Sequence, residues 1–259
     1  MNIVIYGKGG VGKSMIAANL SCAYAKKGYK VLHIGCDPKG DSTYLLRKGD
    51  QTALEKIVNN KVSKKEDLIE KGINNIHCIE AGGPLPGSGC AGYGIALLLN
   101  KLNELEVFAD YDVVVYDVLG DVVCGGFAAP VKLESNKKVY VVVSEEIMSM
   151  YAANNIFLGI EQLKKHKIEF GGMILNHKTN EEDLSKLNIF GEKTKSSFVT
   201  RIPRSDLILK SECLRKPIIE LYPDSKVAFA IYKLVEKSFE ENFILPGPLS
   251  REEFNKILM

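Results

Sequence analysis

Gly7-Lys8-Gly9-Gly10-Val11-Gly12-Lys13-Ser14 stands between an apolar, strand-like run at 2–6 and a helix-periodic run at 13–27. It satisfies the pattern G-x-x-x-x-G-K-[ST] in the context that gives the pattern meaning, a strand before it and a helix after it. Glycines there let consecutive backbone N–H groups from Gly7 through Ser14 converge on phosphate oxygens, and a helix beginning near Lys13 adds its N-terminal partial positive charge. Lys13 is expected to neutralise the β and γ phosphates and Ser14 to ligate Mg²⁺. Working outward, Val-, Ile- and Tyr-rich runs recur at 30–34, 75–80, 112–117, 138–144, 168–175 and 197–201, and helix-periodic segments lie at 92–108, 147–164 and 224–238. That alternation predicts an α/β fold, a mostly parallel sheet flanked by helices on both faces, with ligands beyond the carboxyl ends of the strands. The segment 246–259 reads as a turn followed by a short polar helix.

No repeat, low-complexity tract or linker divides the 259 residues, so one domain spanning 1–259 is expected. Lysine and arginine number 34 against 32 acidic residues, and a net charge of +2 argues against nucleic acid or an anionic membrane as partner. No apolar run reaches the roughly 20 residues of a membrane span, and residue 1 leads straight into a strand without signal-peptide architecture. Six scattered cysteines in a chain of this length suggest a reducing, cytoplasmic compartment rather than a disulfide framework.

Acidic residues at strand ends belong with the phosphate loop. Asp117 closes the run 113–116, where a Walker B carboxylate would hold Mg²⁺, and Asp37, Lys39 and Asp41 follow the second strand. Cys22, Cys78 and Cys213 fall in periodic or strand-like segments and read as small buried hydrophobes. Cys36 stands at a strand end beside Asp37, where it would line the nucleotide site without being reactive. Cys90 and Cys124 differ: both lie in glycine-rich loops, 81–94 and 118–130, where small residues free the backbone to surround a ligand. Two thiolates are half of a [4Fe–4S] ligand set, and a two-fold dimer would supply the other half. By spacing alone they read more readily as two unrelated loop cysteines, and Lys8 alone is equally a solvated loop lysine.

The chain resembles the iron protein of nitrogenase and its relatives. The matching blocks are Tyr6 through Ser14, Gly35-Cys36-Asp37-Pro38-Lys39 with Asp41-Ser42-Thr43, Gly82-Gly83-Pro84 leading to Gly89-Cys90-Ala91-Gly92, Tyr116-Asp117-Val118-Leu119-Gly120-Asp121-Val122-Val123-Cys124-Gly125-Gly126-Phe127, and Met150-Tyr151-Ala152-Ala153-Asn154-Asn155-Ile156. The resemblance implies a phosphate-loop ATPase of the deviant Walker A type, in which Lys8 reaches across a homodimer to the partner's nucleotide. It implies one [4Fe–4S] cluster per dimer, held by Cys90 and Cys124 of both subunits, and one MgATP per subunit. One-electron delivery to a nitrogenase-like catalytic component would be coupled to ATP hydrolysis, with re-reduction by a low-potential ferredoxin or flavodoxin in an anaerobic or oxygen-protected cell. It further implies that Asp117 and Asp121 sense the γ-phosphate, that Asp37 lies near the attacking water and Lys39 near the phosphates, and that Asn176 and the Pro203-Arg204 turn lie near adenine.

Departures from the family pattern bear on the partner. Tyr93 stands where nitrogenase iron proteins carry an arginine that docks the molybdenum-iron protein and can be ADP-ribosylated, so that modification is absent here. Tyr93 and Ala128-Ala129-Pro130 resemble the iron protein of dark-operative protochlorophyllide reductase, whereas Met148-Ser149-Met150-Tyr151 leans to nitrogenase or to the methanogen enzyme reducing a nickel tetrapyrrole. Leu209 and Ala228 occupy places of glutamines near adenine, and the chain ends at Met259 without the extension that wraps a neighbouring subunit. Two other readings on the same fold are a partitioning or positioning ATPase and an iron–sulfur scaffold ATPase. The first calls for a basic tail, which 250–259 lacks, the second for a C-terminal C-x-x-C, and both leave the Cys90 and Cys124 loops without a role.

Overall fold

The computed structural model describes residues 1–59, 61–83, 91–120, 129–131, 137–179, 183–241 and 244–258. Among them, strands β1 (Asn2–Gly7), β2 (Val31–Cys36), β3 (Glu70–Lys71), β4 (His77–Glu80), β5 (Val113–Val118), β6 (Lys137–Val143), β7 (Ile168–Asn176) and β8 (Phe198–Ile202) form one sheet in the order β3-β4-β2-β5-β1-β6-β7-β8. All pairings are parallel except that of the two-residue edge strand β3 with β4. The seven strands expected from the sequence are all present, with ends shifted by one or two residues.

Strands buried on both faces read as unbroken apolar runs, and their period of two divides the core. Val4, Tyr6, Val114, Tyr116, Val139 and Val141 face one layer, and Ile3, Ile5, Val113, Val115, Tyr140 and Val142 the other. Helices α3 (Ala91–Glu104), α4 (Ile147–Gln162), α5 (Ser185–Lys193) and α9 (Arg251–Leu258), with the short α2 (Ala53–Val58), cover the first face. Helices α1 (Lys13–Lys26), α7 (Ile218–Leu221) and α8 (Lys226–Lys237) cover the second, flanked by α6 (Asp206–Cys213). Every residue from Met15 to Tyr24 of α1 is buried, so the helix that opens at the phosphate loop is also a central core element. The C-terminal helix is polar outward but docks Phe254 and Ile257 into the core, with Phe254 edge-on to Phe190.

Candidate nucleotide site

The loop between β1 and α1 has left-handed backbone at Gly10 (φ 74°) and at Gly12 (φ 100°), which caps α1. Val11 N–H donates to the Lys8 carbonyl at 3.2 Å and Lys13 Nζ to the same oxygen at 3.1 Å, so the lysine curls back over the loop instead of extending into solvent. Lys13 is only 8% exposed, whereas Gly9 and Gly10 lie open. The crest is clamped from the β7 side. Asn176 Nδ2 donates to the Val11 carbonyl at 2.7 Å and Lys178 Nζ to the Gly10 carbonyl at 3.0 Å. Glu145, just after β6, holds that clamp by accepting from the Lys178 backbone N–H at 3.0 Å and pairing with His177 Nδ1 at 2.6 Å.

A cleft of about 230 Å³ opens beside this clamp, between Gly12, Met15, Asn176, Lys178, Arg204 and Leu209. Asn176, expected near adenine, lines it, and its Oδ1 is buried and accepts no hydrogen bond. Arg204 is also on the wall, and half-buried Pro203 links it to β8. Leu209 lines the cleft, but Ala228 is fully buried in the α1–α8 core and has no place on the wall. A second hollow next to it is lined by Ser14, Asp41, Ser42 and Tyr44, and shares Met15 and Glu212 with the first. Asp37 is half-buried and caps its own turn, its Oδ1 accepting from Lys39 N–H at 2.9 Å, while the Lys39 side chain is exposed.

Asp117, next to last in β5, is 2% exposed. Its Oδ2 accepts the Ser42 hydroxyl at 2.6 Å, and its Oδ1 is buried without a hydrogen bond. Burial pushes its pKa up, opposed by Ser42, Ser14 and the Lys13 charge. A buried carboxylate oxygen left unsatisfied beside an ammonium group and a serine hydroxyl is a costly arrangement in isolation and a suitable one for a hard cation. The shape and the donor set therefore fit a magnesium nucleotide.

Two neighbours of Asp117 carry no motif. Glu80, closing β4, accepts the Thr43 backbone N–H at 2.9 Å and the Thr43 hydroxyl at 2.7 Å through Oε2, while Oε1 is buried and receives nothing. Glu80 and Asp117 lie level on either side of Gly35 of β2, where a Cβ would stand 2.1 Å from Glu80 Oε1. His33 Nε2 meets Ser42 at 3.0 Å and its Nδ1 meets Ser21 of α1 at 2.9 Å. Sequence reading missed Glu80, His33, Ser21, Glu145 and Lys178. The available signal was position alone, since Glu80, Glu145 and Lys178 all sit at or just past the carboxyl ends of strands.

Cys90, Cys124 and Asp121 lie outside the described residues. Of the other four cysteines, Cys22, Cys36 and Cys78 are fully buried, and burial pushes the Cys22 and Cys78 thiols up to about 12 and Cys36 well above its ordinary value. Cys36 thus belongs to the core and does not line the nucleotide site. Cys213 corrects the sequence expectation: α6 buries only Ser211, so this cysteine is exposed. Tyr93, in the first turn of α3, is 74% exposed.

A parallel sheet whose first strand runs through a glycine-rich loop into a buried helix, with an aspartate at the end of a neighbouring strand, defines the phosphate-loop ATPase class. Solved structures of that class superimpose on the chain. The septum site-determining protein MinD of Pyrococcus horikoshii, complexed with Mg-ADP, gives a TM-score of 0.73 at 22% identity over 93% of this chain and 97% of that one. A ParA family ATPase from Chlorobium tepidum gives 0.71 at 18% identity over 89% and 96%. At such identities the likeness shows the fold. The chain belongs to the NifH/frxC family of 4Fe-4S iron sulfur cluster binding proteins, whose profile matches residues 1–259. It is 42% identical over 258 residues to "Nitrogenase iron protein 2" of Methanothermobacter thermautotrophicus, covering 98% of this chain and 96% of that protein. It is 40% identical over 263 residues to a nitrogenase iron protein of Methanospirillum hungatei, covering 98% and 94%. Membership implies an ATP-dependent reductase that binds a 4Fe-4S cluster and MgATP, forms a homodimer and serves a catalytic partner. Among the described residues no helix is long and apolar enough to cross a membrane.

Proposed function

We propose that the chain is the electron-delivering component of a nitrogenase-like system, a single ATPase domain acting as a homodimer. The observation that carries the nucleotide half is the buried, unsatisfied Oδ1 of Asp117 beside Lys13 and Ser14. Gly7 through Ser14 would wrap the phosphates with their backbone N–H groups, Lys13 would offset the β and γ charge, and Ser14 and Asp117 would hold Mg²⁺. Asp41 would face the same cation from the second hollow. The orphan Oδ1 of Asn176 would accept from the exocyclic amine of adenine, with Pro203-Arg204 closing the cleft. Lys8 would act on the partner subunit's nucleotide, Asp37 on the attacking water, Lys39 on the phosphates, and Asp121 on the γ-phosphate signal.

Cys90 and Cys124 of both subunits would hold the cluster. Support comes from the remaining thiols, because three are sealed in the core with raised pKa and Cys213 stands alone on α6. The cluster supplies one-electron redox chemistry at low potential. Asp117 lies near the end of β5 and Cys124 follows it seven positions on in the chain, so a displacement of Asp117 by nucleotide would be felt at a cluster ligand. A ferredoxin or flavodoxin would re-reduce the protein. Exposed Tyr93, in place of the docking arginine, favours a catalytic partner other than the molybdenum-iron protein.

Protein purified without oxygen is expected to be brown and to hold about four irons per dimer. Cys90→Ala or Cys124→Ala is expected to abolish the cluster while Cys22→Ala retains it. Equal iron in all three variants would overturn the ligand assignment.

A further inference from the structure

The proposed cation ligands Ser14 and Asp117 come from different elements, yet a buried path joins them behind the site. Ser14 lies in the first turn of α1, and Ser21 stands seven residues, about two turns, further along the same helix and on the same face. Ser21 Oγ meets His33 Nδ1 at 2.9 Å, His33 Nε2 meets Ser42 Oγ at 3.0 Å, and Ser42 Oγ meets Asp117 Oδ2 at 2.6 Å. All four side chains are at most 2% exposed.

The carboxylate sets the direction of every bond in this path. Ser42 Oγ donates to Asp117 Oδ2, the only direction open to a carboxylate that holds a cation. The Ser42 oxygen is then left to accept, and His33 must donate from Nε2. His33 is neutral, since burial lowers its pKa to about 3, so Nδ1 must accept the Ser21 hydroxyl. In the other tautomer Nε2 and Asp117 would compete for the single Ser42 proton, and a buried acceptor would go unsatisfied. Holding Oδ2 on Ser42 also fixes the rotation of the carboxyl group, which keeps Oδ1 in its place.

We propose that His33 is a positioning residue for the cation site: locked as the Nε2–H tautomer between Ser21 and Ser42, it sets the separation and orientation of Ser14 and Asp117. This rests on the reading of the cleft as a magnesium nucleotide site. The role should therefore weigh on the part of nucleotide binding that depends on Mg²⁺ and leave the rest alone. Leu at this position removes donor and acceptor, whereas Gln offers an amide N–H toward Ser42 and a carbonyl oxygen toward Ser21.

The test is calorimetric titration of the anaerobically purified protein with ADP, with Mg²⁺ and with the metal chelated, for wild type, His33→Leu and His33→Gln. His33→Leu is expected to cut the Mg²⁺-dependent gain in affinity by about five- to tenfold, the effect of one or two buried hydrogen bonds. Its Mg²⁺-free affinity stays the same, and His33→Gln recovers most of the gain. An unchanged gain in His33→Leu, an equal loss with and without Mg²⁺, or a His33→Gln as defective as His33→Leu would overturn the role. Wild-type protein with no Mg²⁺-dependent binding would overturn the cleft reading and the role of His33 with it. Should His33→Leu fail to fold, ring-¹⁵N histidine spectra of wild type decide. One of the four histidines is expected to stay in the neutral Nε2–H form from about pH 5 to about pH 8 and to shift with MgADP but not with ADP alone. Absence of such a ring would overturn the proposal.

Discussion

Replacing Glu80 by glutamine should change how stability depends on pH, by an amount that the structure sets. Glu80 is 2% exposed, and burial lifts its pKa from the ordinary 4.5 to about 7 against the opposing pull of Thr43 and Arg47. Between those values the native state holds a proton that the unfolded chain has released. The unfolded state therefore binds fewer protons, and stability falls as pH rises through this window. About 2.5 pKa units at 1.36 kcal/mol each give about 3 kcal/mol, present below 4.5 and gone above about 7. His33 has the opposite sign. Its pKa drops from 6.5 to about 3, so its contribution is present above 6.5 and is lost as pH falls toward 3. The two slopes oppose each other in wild type, which is why the difference between proteins is the informative quantity. Glutamine keeps an acceptor for Thr43 and removes only the Glu80 titration, while any repacking adds a constant. Urea unfolding followed by circular dichroism, in steps from about pH 5 to about pH 8, should show Glu80→Gln gaining on wild type by about 2.5 kcal/mol, the part of the effect that falls in this window. With a urea slope of about 3 kcal/mol/M, that is a relative midpoint shift of about 1 M. A difference that stays flat with pH would refute the reasoning.

Gly120→Ala should disable the phosphate loop without touching a motif residue, because its Cβ would stand 1.9 Å from the Gly7 carbonyl and 2.7 Å from Lys13 Nζ. The expected outcome is a stability cost of about 1–3 kcal/mol and a loss of nucleotide affinity by calorimetry; wild-type affinity would show that the loop does not need this close approach. A disulfide-exchange reagent added to the native protein should label Cys213 readily and reach Cys22, Cys36 and Cys78 only on unfolding. Labelling of Cys36 at the rate of Cys213 would contradict its place in the core.

What could be read ahead of the structure was what is local. The phosphate loop and its flanking elements lie within 25 consecutive residues, Asn2 to Lys26, and the doubly buried strands announced themselves as apolar runs. The two-residue β3 has no such signature, since Glu70 and Lys71 are placed by pairing with Cys78 and His77. Helices α2, α5 and α7 escaped because they are short; α6, legible only as a helical stretch around Cys213, is set by Ser205, whose side chain accepts from Leu207 N–H, and buries only Ser211. That same shallow burial is why the expectation for Cys213 failed. In the site, Ser42 and Asp117 are 75 residues apart and Thr43 and Glu80 are 37 apart, so only the strand order β4-β2-β5 brings them together.

Ser42 and Thr43 are consecutive, yet they are fastened to carboxylates on opposite sides of β2, at the same level of the sheet. The chain there is a crossbar with two bolts, roughly two strand spacings or about 10 Å apart. A bar fixed at both ends cannot slide along the sheet, but it can tilt. A push at the Asp117 end becomes a torque about β2, and the Glu80 end answers it. Past those two bolts the chain continues into the segments 81–94 and 118–130, one carrying Cys90 and the other Cys124. A tilt of the bar would thus be shared by Glu80 and Asp117, the two carboxylates just before those segments in the chain.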